Sequence, residues 1–216
     1  MSDAYKNLTQ ISVYKTDKNV LEFNKKLKVA SAHFGRIHRK DEYDMNGKKL
    51  PDSLIGVVAI NYDVEPSVRV EENLSPSQIR FLYESVKEKP ENYSFPGNGS
   101  KVFGEPDENG FCIARKLYIT RTSKMPNGEL KKYPWRIKIS NGKGKKVIKE
   151  NGSAYLDGKS YVEEKEVSIL LTDYDMFELL DEVVSVIRVW EDTYGPGHEK
   201  ANKELVSEMY RSFNKK

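Results

Sequence analysis

Two helix starts in this chain of 216 residues each follow directly on a strand-like segment. In the first, Ser75 suits the N-cap, Pro76 the first helical position, and Gln78 the position that closes a capping box. In the second, Thr172 suits the N-cap, and the acidic residues behind it lie where the helix dipole favours them. Strands followed by a capped helix therefore occur twice, which predicts an α+β fold of two sheet-then-helix repeats.

The two predicted helices differ in the width of their apolar faces. The first, from residue 75 to 89, carries a single stripe that begins at Ile79 and ends at Val86. The second, from 172 to 195, carries a wider stripe from Met176 to Trp190, so we expect it to be largely buried. Gly195-Pro196-Gly197 is expected to end it.

Strand-like segments precede both helices. In the first half they are Leu27 to Ile37, Ile55 to Tyr62 and Val68 to Val70, with a turn at Asn46-Gly47. In the second half they are Phe111 to Thr122, Trp135 to Ser140, Tyr155-Leu156 and Val167 to Leu171, with a hairpin turn at Asn127-Gly128. The sheets are expected to be antiparallel.

These elements suggest four segments. Residues 20–89 and 111–195 are the two repeats, which can form one domain, and residues 90–110 are rich in Pro, Gly, Asn and Ser, as is typical of a linker or long loop. Residues 198–216 are expected to form a C-terminal helical tail. Leu205, Met209 and Phe213 form its narrow apolar stripe, suited to docking on the body or on a partner subunit.

Charge is segregated along the chain although the net charge is only +3. From Lys101 to Glu150, thirteen Lys or Arg stand against five Asp or Glu, a local excess of +8. From Asn151 to His198, three stand against eleven, a local charge of −8. A basic strand region followed by an acidic helix region suggests that the strands meet an anionic partner.

The predicted hairpin would place cations and an aromatic residue on one exposed sheet face. Alternation puts Leu117 and Ile119 on one side and Lys116 and Tyr118 on the other, with Arg136 and Lys138 beside them. Cations follow phosphates and an exposed ring stacks on bases, as sequence-tolerant single-strand binding requires. The alternative is that Lys and Arg only solubilise an exposed sheet face and blunt its edges.

Further basic residues extend the candidate site. Asn141 to Lys146 is expected to be an exposed basic turn, either gripping a nucleic-acid backbone or serving as an ordinary turn. The first half repeats the mixture of basic and aromatic residues from His33 to Lys40. The candidate nucleic-acid-binding residues are Arg36, Arg39, Lys40, Lys116, Tyr118, Arg121, Lys131, Lys132, Tyr133, Arg136, Lys138, Lys143 and Lys145.

The junctions Leu74-Ser75-Pro76-Ser77-Gln78 and Leu171-Thr172-Asp173-Tyr174-Asp175 resemble those of the Whirly and positive-cofactor-four group of single-stranded DNA-binding proteins. In that group a curved antiparallel sheet of four strands enters its helix through a short Leu-Ser/Thr junction, and Whirly proteins carry two such units. The resemblance covers roughly residues 20 to 194. The sequence lacks the Lys-Gly-Lys-Ala-Ala-like segment of plant Whirly proteins, so the resemblance assigns no contact residues.

Several function classes find no support in the sequence. It contains no Gly-x-Ser-x-Gly elbow, Rossmann fingerprint, Walker loop or zinc motif, so we expect neither catalysis nor a cofactor. The single Cys112 excludes an intramolecular disulfide, and no apolar run approaches the roughly 18 residues of a membrane span. With no signal-like N-terminus, the protein is expected in the cytoplasm of a bacterium or an infected host cell.

Two hypotheses from different classes remain. The first is a non-enzymatic, homo-oligomeric protein that binds single-stranded DNA or RNA in phage or mobile-element replication or recombination. The second is a protein–protein adaptor, or an inhibitor of a host enzyme, whose basic strip meets an acidic protein surface. A shared exposed face for Lys116, Tyr118, Arg136 and Lys138 with Arg36 and Arg39 would favour the first, and their separation would favour the second.

Overall fold

The computed structural model describes residues 8–150 and 152–213, which form two large antiparallel sheets, a separate two-stranded hairpin and two α-helices. The strands are β1 (Gln10–Lys15), β2 (Asn19–Lys26), β3 (Leu54–Asn61), β4 (Val68–Leu74), β5 (Asn92–Ser94), β6 (Gly99–Phe103), β7 (Cys112–Thr122), β8 (Trp135–Gly144), β9 (Lys146–Ile148), β10 (Ala154–Leu156) and β11 (Val162–Leu171). The helices are α1 (Pro76–Glu88) and α2 (Asp173–Phe213), and Gly158–Ser160 form a short 3-10 helix. The predicted α+β class is confirmed.

Each sheet is followed by a helix along the chain. The first sheet has the order β1-β2-β3-β4 and leads into α1. The second has the order β11-β8-β7, and the free edge of β7 pairs with β5 near Thr122 and with β6 near Cys112. It leads into α2, while β9 and β10 form a separate two-stranded hairpin.

Both helix starts have the predicted caps. Ser75 accepts a hydrogen bond from the Gln78 backbone N–H, and the Gln78 side chain accepts one from the Ser75 N–H. Thr172 and Asp175 make the same reciprocal pair at the start of α2. Because two otherwise unpaired backbone donors are satisfied at each end, the chain leaves the strand and enters the helix without a loop.

One apolar cluster joins the two halves of the chain. The inner faces of both sheets contribute to it, as do the stripes of α1 and α2, and its largest fully buried side chain is Trp135. Strand β4 contacts both β8 and β11, so the first sheet leans across the inner face of the second. None of the helices within the described ranges combines the length and apolarity required to cross a membrane.

The segment predicted as a strand from Leu27 to Ile37 is not one, apart from an isolated bridge between Val29 and His38. Its backbone groups bond within the segment between β2 and β3, as when the Ala30 N–H donates to the Ile37 carbonyl. Strand β2, which directly precedes it, and the whole of β1 were not predicted from the sequence. Lys26, the last residue of β2, pairs with Leu54, the first residue of β3. The residues after Lys26 therefore lie beyond the end of β3 and do not continue this pairing.

Residues 90–110 are also more ordered than a linker or long loop, because they contribute β5 and β6 to the second sheet. Asn98 secures this segment to β7: its amide donates to the Ile119 carbonyl, and its Oδ1 accepts from the Ile119 N–H at 2.6 Å. Pairing with a long neighbouring strand therefore overrides the turn-forming composition.

Helix α2 does not end at Gly195-Pro196-Gly197 but runs through it to Phe213, so the predicted separate tail is its continuation. The segment between β2 and β3 holds the helix on both sides of Pro196. Glu191 bonds His38, and the Asn202 amide donates to the Ala32 carbonyl at 2.6 Å. These long-range contacts offset the roughly 3 kcal/mol that proline costs inside a helix.

Candidate nucleic-acid interface

The predicted hairpin of β7 and β8 is confirmed, with Tyr118 opposite Lys138 and Leu117 opposite Ile139. Leu117, Ile119, Ile137 and Ile139 are buried in the core. The opposite side of the sheet is here called the outer face. It carries Lys116, Tyr118 and Thr120 of β7, Arg136 and Lys138 of β8, and Ser168 and Leu170 of β11.

Tyr118 is the accessible aromatic residue at the centre of the outer face, with 40% of its surface exposed. Lys138 lies opposite it and pairs with Glu166 at 2.6 Å, while the Arg136 Nε donates to the Ser168 hydroxyl at 2.8 Å. Among the residues described, Lys138 alone of the three outer-face cations forms an ion pair. A ring flanked by cations, two of which form no ion pair among the described residues, can accept a base and its phosphate.

Lys116 is held over an aromatic ring. Its Nζ lies 3.6 Å from the ring centroid of Tyr161, and the Tyr161 hydroxyl bonds Ser140 at 2.9 Å. Burial raises the pKa of the Tyr161 hydroxyl, which therefore stays neutral at physiological pH. Tyr161 thus positions the Lys116 ammonium without neutralising it.

Lys131, Lys132 and Tyr133 lie in the turn that joins β7 to β8, next to the Arg136 end of the outer face. Gly128 has φ +87° in this turn, the left-handed conformation that the Asn127-Gly128 pair predicts. The Lys132 Nζ lies 5.2 Å from the ring centroid of Tyr133, which is 39% exposed. Cations and an accessible ring therefore continue beyond the end of the strands.

Arg121, expected among the exposed cations, is instead 6% exposed. It lies on the inner side of β7, where its guanidinium donates to both carboxylate oxygens of Asp173 and to the Pro90 carbonyl. Trp135 donates to the same carboxylate at 2.8 Å. The prediction for Arg121 is wrong, because the residue links β7 to the start of α2 and has no surface to offer a ligand.

Lys143 does not lie at a turn, because β8 continues to Gly144, whereas Lys145 is exposed between β8 and β9. Both approach Phe111, with Nζ atoms 5.6 Å and 5.8 Å from its ring centroid. Lys143 lies opposite Ile113, on the side of the sheet away from the outer face. We call this region the overhang; it comprises Phe103, Phe111, Ile113, Arg115, Lys143 and Lys145.

Arg36, Arg39 and Lys40 are not brought to the outer face either. Arg36 stacks on Phe34 with 4.6 Å from Cζ to the ring centroid, and it donates to the Lys40 carbonyl. The Arg39 Nε lies 4.0 Å from the buried carboxylate of Glu42. Their segment folds on itself and packs against α2, so the predicted basic strip is divided among three regions of the surface.

A chain of three polar side chains fastens that segment to α2. The His38 Nδ1 lies 2.9 Å from the Ser53 hydroxyl, and its Nε2 lies 2.7 Å from Glu191, which also pairs with Arg80. The His38 ring stacks on Trp190. Although serine, histidine and glutamate follow one another as in a hydrolase triad, Ser53 is only 3% exposed and already accepts the Lys28 N–H. These contacts are suited to holding the segment between β2 and β3 against α2.

Sequence reasoning missed Phe103, Phe111 and Tyr161, the aromatic partners of Arg115, Lys143, Lys145 and Lys116. Phe111 could have been predicted from the sequence, because it directly precedes β7, the strand that carries several of the basic residues. Phe103 and Tyr161 are brought in by β6 and by the 3-10 helix, whose positions depend on the tertiary structure.

Comparison with known proteins finds no matching family model and no significantly similar curated protein or solved structure.

Proposed function

We propose that this chain binds single-stranded nucleic acid, DNA or RNA, through the outer face and catalyses no reaction. The observation that carries the proposal is the exposed Tyr118 with Lys116, Arg136 and Lys138 around it on one side of a rigid sheet. Its ring offers a base a stacking surface, and the cations are placed to follow the phosphates on either side. Such a site needs neither cofactor nor metal.

The order of the elements supports the proposal. A sheet, a helix, a second sheet and a second helix follow one another along the chain, as the resemblance to the Whirly and positive-cofactor-four group implies. The Whirly-like arrangement of these elements is part of the proposal. So are the cytoplasmic setting, a role in phage or mobile-element replication or recombination, and assembly into a homo-oligomer.

Fluorescence anisotropy with a labelled oligo-dT at low and high salt tests the proposal. Binding should weaken as salt rises, because phosphate contacts release counterions. Tyr118→Ala should weaken it by about 5- to 150-fold, which corresponds to the roughly 1–3 kcal/mol of one base stack. The matched control is Tyr174→Ala, since Tyr174 is an exposed tyrosine on α2 and should not affect binding. Absence of binding at low salt, or binding insensitive to salt, contradicts the proposal.

A second candidate is an adaptor or inhibitor that meets an acidic protein surface. It is favoured by the separation of Arg36 and Arg39 from the outer face, and by the pairing of Lys138 with Glu166. A pull-down before and after nuclease treatment separates the two candidates. Recovery of a defined protein partner that survives nuclease, together with failure to bind oligo-dT, would replace the first proposal with the second.

A further inference from the structure

The second sheet extends beyond the first at the Ile113 end of β7, and its inner side is open there. Further along β7, the inner residues Leu117 and Ile119 are buried against the first sheet. Ile113, on the same side of the strand, is 59% exposed, and Phe103 opposite it on β6 is 38% exposed. The overhang is therefore an accessible apolar surface that packing of the two sheets does not use.

Cations surround this apolar surface. The ammonium groups of Lys143 and Lys145 both lie within 6 Å of the Phe111 ring centroid. Arg115 stands over Phe103 at 5.5 Å. Arg115 pairs with Glu71 at 3.1 Å, whereas within the described ranges neither Lys143 nor Lys145 forms an ion pair. The Asp107 carboxylate, which accepts the Phe111 backbone N–H at 2.8 Å, offsets one of these two ammonium groups, so a positive charge remains beside the ring for an anion to neutralise.

We propose that the overhang is a second contact site for single-stranded nucleic acid, with a base stacked on Phe111 and the backbone phosphates on Lys143 and Lys145. An acidic segment without apolar side chains would use the two cations but not the aromatic ring beside them. A duplex would offer phosphates but no free base to stack. An unpaired strand supplies both partners, a base for the ring and phosphates for the two ammonium groups.

The two sites lie on opposite sides of one sheet. At the Gly144 end, the outer face is covered by the segment from β10 to the 3-10 helix: a Cβ on Gly144 would lie 2.3 Å from Leu156 Cδ1 and 3.4 Å from the Ser160 hydroxyl. Cys112 and Ala114 are buried on this side of β7. A strand that contacts both sites must therefore pass around the sheet. Each site then adds its own contacts to the binding free energy of that strand.

The inference rests on the proposed function, and anisotropy with the full chain and labelled oligo-dT tests both. Phe111→Ala should weaken binding about 5- to 150-fold, as loss of one aromatic–base stack does. The loss should add to that of Tyr118→Ala in the double variant, because the sites share no partners. Phe81→Ala is the matched control: Phe81 is a 53% exposed phenylalanine on α1, and its removal should change nothing.

Phe111→Ala could weaken binding by misfolding the protein, so a second variant tests the overhang with Phe111 in place. Lys143→Ala with Lys145→Ala leaves the ring in place and should lower the salt dependence of binding by about two phosphate contacts. If Tyr118→Ala weakens binding while both overhang variants bind like the unchanged chain, the overhang is not a site and the proposed function stands. If the unchanged chain does not bind oligo-dT at all, both proposals fall.

Discussion

Asp173 joins three elements through its carboxylate. It accepts hydrogen bonds from Arg121 at 3.0 Å and 2.9 Å and from Trp135 at 2.8 Å, and it is the first residue of α2. The Arg121 hydrogen bonds are the main cause that lowers the pKa of this carboxyl below its ordinary 3.8, and the Trp135 hydrogen bond adds to them. Since Arg121 is buried, removal of this carboxylate would leave a buried guanidinium without its ion-pair partner.

Asp173→Asn should therefore destabilise the fold at pH 7 by about 1.5–3 kcal/mol, the range for hydrogen bonds to a charged group. Because the folded-state pKa is lowered, the stabilisation by Asp173 is fully present above the unfolded value of 3.8 and is lost as pH falls through the folded value. The free energy of unfolding in urea should thus differ more between the two proteins at pH 7 than near pH 2, and the difference should shrink as pH falls below 3.8.

Asp192→Asn is the control for that measurement, because Asp192 is an exposed carboxylate on the same helix. It should change the stability at pH 7 by less than about 0.5 kcal/mol. An Asp173→Asn protein as stable as the unchanged chain at pH 7 would show that Arg121 finds enough compensation in the Pro90 carbonyl and does not need the carboxylate.

Gly142 lies in the segment predicted to be a turn, which in the structure forms the end of strand β8. A Cβ at this position would lie 2.1 Å from the Val162 carbonyl oxygen of the neighbouring strand β11. Its glycine is thus required by the close approach of another backbone and not by a turn. From the sequence alone, two glycines among lysines favour a loop, because the approaching strand lies about twenty residues further along the chain.

Helix α2 is longer than the body it packs on. The apolar stripe of its first part is buried from Met176 to Ile187, and contacts with the segment between β2 and β3 extend to Asn202. Beyond that, Val206, Met209 and Tyr210 are 43%, 56% and 67% exposed. These residues lie three and four positions apart and so share one side of the helix, which suits a contact with a second copy of the chain.

Val206→Glu combined with Met209→Glu should therefore reduce the proposed oligomer to the monomer, because each carboxylate would be buried in the contact between copies. Light scattering coupled to size-exclusion chromatography measures this mass. The melting temperature of the monomer should stay unchanged, since both side chains are exposed within one copy.

Arg211→Glu provides the comparison, because it adds a carboxylate on the opposite side of the same helix turn and should leave the mass as it is. An unchanged chain that is already monomeric at high concentration would contradict assembly through α2 and would leave the fold unaffected.

The whole molecule has one core, to which both sheets and both helices contribute. Strand β4 of the first half contacts β7, β8 and β11 of the second. A buried carboxylate bridges the same boundary, since Glu72 is 1% exposed and accepts a hydrogen bond from Lys101 of β6 at 3.0 Å. Each half alone would expose the apolar inner face of its sheet to water.

Fragments 1–90 and 91–216 should accordingly fail to fold separately, because neither retains a closed core. Circular dichroism of each fragment during heating should show no cooperative transition, whereas the full chain should unfold in a single one. A sigmoidal transition in either fragment by itself would mean that the sheet-then-helix repeats are independent domains.

Local signals were enough to place both helix starts, the turns at Asn46-Gly47 and Asn127-Gly128, and the alternation of the hairpin strands. Caps, turns and alternation depend on residues a few positions apart, so the interactions that determine them can be identified from the sequence. The same signals were sufficient to predict that Lys116, Tyr118, Arg136 and Lys138 share one face. They also correctly assigned Leu117 and Ile139 to the core.

The tertiary structure decided which of the basic residues remain available. It buried Arg121 against Asp173, moved Lys143 and Lys145 to the overhang, and carried α2 through Pro196. In each case the deciding contact joins residues that lie far apart in the sequence, and its energy exceeds the local preference of a proline, a glycine or a charged side chain. Sequence periodicity can name the face of a strand, but only packing determines what covers it.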